Sequence, residues 1–121
     1  MKNKNLFESI KHALNGIKLA FKSEKNLKKY IVIAIIFGVL NILTKSTYID
    51  AIFYIILCFI VFAFEYINTA IERVVDKFIL KIDENAKYIK DVSASAVLTS
   101  GLLFFIVEGI IIVKNIIALG R

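Results

Sequence analysis

Three long apolar runs limit what this chain can fold into. Residues 30–44 carry no charge and are flanked by Lys28, Lys29 and Lys45. Residues 51–71 are interrupted only by Glu65, and residues 92–113 only by Glu108. A membrane-spanning helix needs about 20 mostly apolar residues, which the second and third runs supply. The first is shorter, but flanking lysines extend it, because their stems stay in lipid while the ammonium groups reach the interface. A small soluble bundle is the alternative, and a chain of 121 residues has too little interior to hide three such helices. Pro is absent and only five Gly occur, which suits long helices rather than sheet. The chain is therefore expected to be an all-α membrane protein, one domain over residues 1–121. An N-terminal amphipathic surface helix is expected over about 5–25, with three transmembrane helices over about 29–47, 50–76 and 88–116.

Lysine and arginine set the orientation, since positive residues stay on the cytoplasmic side. Eight lysines fall in the first 29 residues, and five Lys or Arg fall between Glu72 and Asp91. The turn between the first two spans holds Lys45 alone, and the tail holds Lys114 and Arg121. The expectation is a multi-pass protein of the cytoplasmic (inner) membrane, with its N-terminus and functional face cytoplasmic. The net charge of +6 needs no nucleic acid, because anionic headgroups lie where the basic residues concentrate. No cleavable signal peptide is visible. The single Cys58 sits among Ile, Leu and Phe and reads as a packing residue.

Along residues 6–21, Leu6, Phe7, Ile10, Ala13, Leu14, Ile17, Ala20 and Phe21 repeat at helical spacing, so one stripe is apolar. Lys4, Glu8, Lys11, Asn15, Lys18 and Lys22 lie off it. Such a helix before a span lies in the membrane interface. His12 suits the solvated face, and Gly16 either permits close approach or is incidental. The connector of roughly residues 77–89 is polar and is expected to be the one loop long enough to fold over a water-soluble ligand.

The stretch FEYINTAIERVVD, residues 64–76, carries acids where the membrane would favour none. On a helix, Asn68, Thr69, Glu72 and Asp76 all fall within roughly 60° of Glu65. Glu72 lies ~10 Å along the axis from Glu65, and Asp76 ~6 Å further. A carboxylate within hydrocarbon costs at least about 2.5 kcal/mol, so its default reading is functional. Glu24 before the first span, and Lys90 with Asp91 at the start of the third, fall on the same side. Clustered carboxylates repel, and protons, a lysine or a hard divalent cation must neutralise them. Mg²⁺ takes a few carboxylates and completes its shell with water and phosphate oxygens. Mg²⁺, a lysine and a deep carboxylate together suggest phosphoryl transfer onto a lipid hydroxyl. No GxxxxGK[ST] occurs, so a P-loop is excluded. Asp76 and Arg73 also suit ordinary helix-end charges, and Lys90–Asp91 also suits the start of a span. Residues 93–96 read as a small-residue packing patch. Glu108, near the far end of the third span, is read as snorkelling to the interface and carries no chemistry. A small proton- or cation-coupled transporter is the rival reading, in which Glu65 is the carrier group; no inverted repeat supports it.

The segments EYINTAIERVVD (65–76), AKYIKDVSASAVL (86–98), NGIK (15–18) and SEKN (23–26) together resemble the prokaryotic diacylglycerol kinase and undecaprenol kinase family. The resemblance covers nearly the whole chain. It implies a homotrimeric membrane lipid kinase, each subunit with three spans and a surface helix, using ATP and Mg²⁺. By that resemblance Glu65 is the general base, Glu24 and Glu72 bind the metal that carries ATP, and Asn68 supports the site. Lys90 and Asp91 meet the nucleotide phosphates, and Asp76 organises the site. Lys81 and Asp83 are placed near the nucleotide by position alone. Ile89 stands where the family often has alanine, which bears on local packing rather than chemistry. The NTAIE and KDVSA wording is closer to the undecaprenol branch, so the implied substrate is undecaprenol, with diacylglycerol as the alternative.

Overall fold

The computed structural model describes residues 5–121; Lys4, assigned above to the polar face of the first helix, lies outside them. Four helices follow one another: α1 (Leu6–Ser23), α2 (Lys25–Leu43), α3 (Tyr48–Phe78) and α4 (Glu84–Leu119). No strand occurs among the described residues. α2, α3 and α4 are each long and apolar enough to cross a membrane, and the protein is a multi-pass membrane protein. At ~1.5 Å per residue, the 19 residues of α2 match a hydrocarbon core of about 30 Å. The 31 residues of α3 and 36 of α4 exceed it, so part of each stands outside the hydrocarbon.

The interior is not an oily core. Leu27, Leu57, Val97, Phe104 and Ile111 are buried, but so are Asn41, Asp50, Glu65, Asn68, Ser100, Glu108 and Asn115. Ile35, Phe59 and Leu98 are more than half exposed. That distribution fits lipid as the surrounding solvent, with polar groups turned inward where they find partners.

α3 and α4 form the principal pair, and α2 packs mainly on α3. The two ends of this bundle are built differently. At the turn end, α2 stops because the chain turns sharply at Lys45, whose φ of 56° is the one left-handed non-glycine angle among the described residues. Thr47 then starts α3 with a capping box: its hydroxyl accepts from the Asp50 N–H at 3.2 Å, and the Asp50 carboxylate accepts from the Thr47 N–H at 3.1 Å. At the loop end, α3 and α4 are joined by residues 79–83 alone. The connector expected over 77–89 is thus mostly helix, and it is too short to fold over a ligand. Asp83 ends it by capping α4, its side chain accepting from the Asn85 N–H at 3.2 Å.

α1 has no buried residue. Leu6, Phe7 and Leu14 are largely exposed, as expected of a helix whose apolar stripe meets the interface. Its end is fixed at Phe21, which packs on Phe62 and Tyr66 of α3 at ring-centroid distances of 6.1 and 6.3 Å. Glu24 breaks the helix there. Its extended backbone redirects the chain, and its carboxylate caps α2 by accepting from the Asn26 N–H at 3.2 Å. His12 is exposed, and Gly16 has open space at its Cβ position.

Candidate functional site

Glu65 and Asn68 of the α3 polar stripe point into the bundle, while Glu72 is half-buried and Asp76, nearer the loop, is exposed. Glu65 is only 2% exposed. Its electrostatic neighbours are Glu24 and Glu72, and the Tyr30 hydroxyl on α2 donates towards it. The break at Glu24 therefore brings a capping residue of α2 close to the deepest acid of α3. Tyr30 is a site neighbour that sequence reasoning missed. Its position one helical turn and a half after Glu24, at the start of the first span, was the available signal.

Asn68 is buried and bridges two helices. Its amide nitrogen donates to Glu72 Oε1 at 2.8 Å, and its carbonyl oxygen accepts from the Ser93 hydroxyl of α4 at 2.7 Å. The Asn68 amide thus orients Glu72 and leaves the second carboxylate oxygen without a bond from Asn68. Ser93, read above only as a small packing residue, also holds the site asparagine in place.

Nearer the loop the charges pair off. Lys90 Nζ donates to Asp76 Oδ1 at 2.8 Å, and Lys87 Nζ donates to Asp91 Oδ2 at 2.5 Å. Asp76, Lys81, Asp83, Lys87, Lys90 and Asp91 line a cavity of about 410 Å³ over the buried Val75 and Ala86. Lys87 was not singled out in the sequence. Its spacing of four from Asp91 was the signal.

The described residues contain no trio of His, Cys, Asp or Glu placed to enclose a metal. Glu24 and Glu72 are two hard oxygen donors beside Glu65, which fits Mg²⁺ held by one or two carboxylates with phosphate and water completing its shell. It does not fit a metal that must be caged by protein alone. A second cavity, about 930 Å³, lies between α1 and α3 along Gly16, Ile17, Ala20, Tyr66, Thr69 and Arg73. The Thr69 hydroxyl lines it, buried and without a hydrogen-bond partner. This groove is mostly apolar and adjoins the face that carries Glu65.

The expected snorkelling of Glu108 is overturned. Glu108 is fully buried, at 0% exposure, and Oε1 accepts from the Asn41 amide at 2.9 Å. The reason is topology: α2 ends beside this level of α4, so the glutamate faces a helix instead of lipid.

The family model for prokaryotic diacylglycerol kinase matches residues 11–112. The chain belongs to that family. As a prokaryotic diacylglycerol kinase family member it is an ATP-dependent lipid kinase, and the transporter reading gives way. The diacylglycerol kinase of Haemophilus influenzae is 32% identical over 110 residues, covering 84% of this chain and 93% of that relative. The diacylglycerol kinase of Helicobacter pylori is 29% identical over 102 residues, covering 84% and 79%. No solved structure matches this family member significantly.

Proposed function

We propose that this kinase transfers the γ-phosphoryl group of ATP to the single hydroxyl of undecaprenol, at the loop end of the bundle. The observation that carries the site is Glu65: a fully buried carboxylate within a membrane-spanning helix, flanked by Glu24 and Glu72. In the reaction the lipid oxygen attacks the γ-phosphorus, Glu65 accepts the hydroxyl proton, and the β–γ bridging oxygen leaves with ADP. Asn68, held by Ser93, keeps Glu72 aimed. Lys90 exchanges Asp76 for nucleotide phosphate, and Lys87, Asp91 and Lys81 line the same cavity. Asp76 takes part by releasing and recapturing Lys90. Asp83 acts through the start of α4, which it caps. Glu24 and Glu72 would hold Mg²⁺, which when bound screens the phosphate charge. The groove between α1 and α3 offers an apolar channel that leads the lipid alcohol towards Glu65.

Orientation follows the positive residues: the loop end and α1 are cytoplasmic, where ATP is found. As a homotrimer, the assembly would cover outward faces of α2 and α4 and complete each site.

The preference for undecaprenol rests on the NTAIE and KDVSA wording. Diacylglycerol is the second reading, supported by the names of both relatives. Both lipids present one hydroxyl at headgroup depth, so the same residues serve either. The test is transfer from γ-labelled ATP to each lipid, side by side, with purified protein in bilayers. Faster transfer to undecaprenol is expected. Transfer to diacylglycerol with none to undecaprenol reverses the preference, and transfer to neither removes the assignment.

A further inference from the structure

The groove between α1 and α3 carries charge of one sign only. Lys22 from α1 and Arg73 from α3 line it, the rest of its wall is mostly apolar, and no acid lines it. Both cations are exposed, and neither makes an ion pair among the described residues. The groove's volume of about 930 Å³ lies at the upper end of the ~300–1,000 Å³ that small-molecule sites occupy. An apolar groove with two uncommitted cations suits an amphiphile whose polar end is an anion.

A lipid alcohol is neutral and gives these cations nothing to bind. Its phosphorylated product differs, because a phosphate monoester carries about −1.5 to −2 charges near neutral pH. The register of α3 places Arg73 where that charge arises. Arg73 follows Glu72 directly, so the two lie ~1.5 Å apart along the helix axis and ~100° apart around it. Glu72, the proposed metal ligand, neighbours Glu65, whereas Arg73 lines the groove. A phosphoryl group passed to the lipid at the level of Glu72 therefore reaches Arg73 by moving around the helix, with little change of depth. Guanidinium and phosphate form charge-assisted, bidentate hydrogen bonds. A bilayer phospholipid is the weaker occupant, since its phosphodiester bears one charge and does not originate beside Glu65.

We propose that Arg73 binds the phosphate of the lipid monophosphate product in this groove, with Lys22 adding positive potential. The groove then holds product more tightly than substrate, and Arg73 governs product release. This rests on the transfer reaction proposed above, but binding is measured without ATP, so its failure is distinguishable from a failure of transfer. Thermal unfolding of the purified protein in detergent micelles is followed while undecaprenyl phosphate, undecaprenol or phosphatidylglycerol is titrated in. A parallel series uses phosphatidate and diacylglycerol, so the identity of the lipid alcohol does not decide the outcome. A monophosphate is expected to raise Tm saturably, with a midpoint several-fold below those of its own alcohol and of phosphatidylglycerol. Arg73→Gln should raise the monophosphate midpoint several-fold and leave the alcohol midpoint in place, and Arg73→Lys should restore part of the affinity. No preference for monophosphate over alcohol in either series overturns the proposal, as does an unchanged monophosphate midpoint in Arg73→Gln. Phosphatidylglycerol equal to the monophosphate overturns it as well, because the groove then belongs to bilayer lipid.

Discussion

At the loop end, Asp76 and Asp91 are 62% and 64% exposed, each bonded to one lysine. At the turn end, Asp50 is 6% exposed and accepts bonds from a backbone amide, an asparagine and a lysine. Both ends join the same helices, and both use acids, amides and lysines. The exposed pairs are weak and screened, so a polyphosphate can displace them at little cost. The turn-end bonds are shielded, several to one acid, and give the bundle a fixed end. One end is arranged to exchange partners, and the other to keep them. Glu65 shares burial with the turn end, yet its neighbours are two other carboxylates, which is a poor arrangement for stability and a useful one for chemistry.

The sharpest break between the ends should come from Glu65→Gln. Removing the proposed general base is expected to lower turnover about 10²- to 10⁴-fold, with Mg-ATP affinity largely kept. Thermal stability should hold or rise, because a buried acid among acids is gone. A steady-state assay beside a nucleotide titration measures both. Retained turnover would remove Glu65 from the chemistry.

Glu72→Gln separates roles within the loop end. Glu72 sits about two turns nearer the loop than Glu65, and the variant should weaken Mg-ATP binding as well as turnover. Added Mg²⁺ should restore part of the loss, since a carboxamide is a poorer ligand than a carboxylate. Equal nucleotide affinity in the two variants would show that depth along α3 does not divide metal holding from proton transfer.

How much of this was legible in the sequence follows the same division. The loop-end stripe was readable because Glu65, Asn68, Glu72 and Asp76 lie on one helix, where period alone fixes their face. Tyr30 and Ser93 were not, because they reach the stripe from other helices. Glu108 shows the limit most clearly. Depth in the apolar run suggested an easy route to the interface, but burial depended on where α2 ends. Asn41, Asp50 and Asn115 were a usable clue: polar residues at three span ends that a three-span topology gathers on one face. The connector was overestimated because polarity was taken for irregular structure. Glu84, Asn85 and Lys87 are polar, yet they lie in the first turns of α4.

Asp50→Ala tests the fixed end. It removes the shared acceptor of Thr47, Lys114 and Asn115 and leaves the buried Asn115 amide with its bond to Ser46 alone. The expected loss of stability is about 1–3 kcal/mol, read as a lower unfolding midpoint, while transfer per folded molecule stays near wild type. A loss of turnover without a loss of stability would mean that the two ends are coupled more tightly than their separate networks indicate.

The smallest effect belongs to Lys45, the left-handed residue of the turn. Its backbone has φ of 56°, a region that costs a side-chain-bearing residue roughly 1–2 kcal/mol. Glycine removes that cost, but its freer unfolded chain returns roughly 0.5–1 kcal/mol of it. Lys45 makes no ion pair among the described residues, so little else is lost. Lys45→Gly should therefore stabilise the protein by about 0.5 kcal/mol, seen as a small rise in Tm with unchanged kinase activity. A clear destabilisation would show that the lysine stem or charge holds the turn at the membrane surface. The fixed end would then depend on lipid as well as on its own hydrogen bonds.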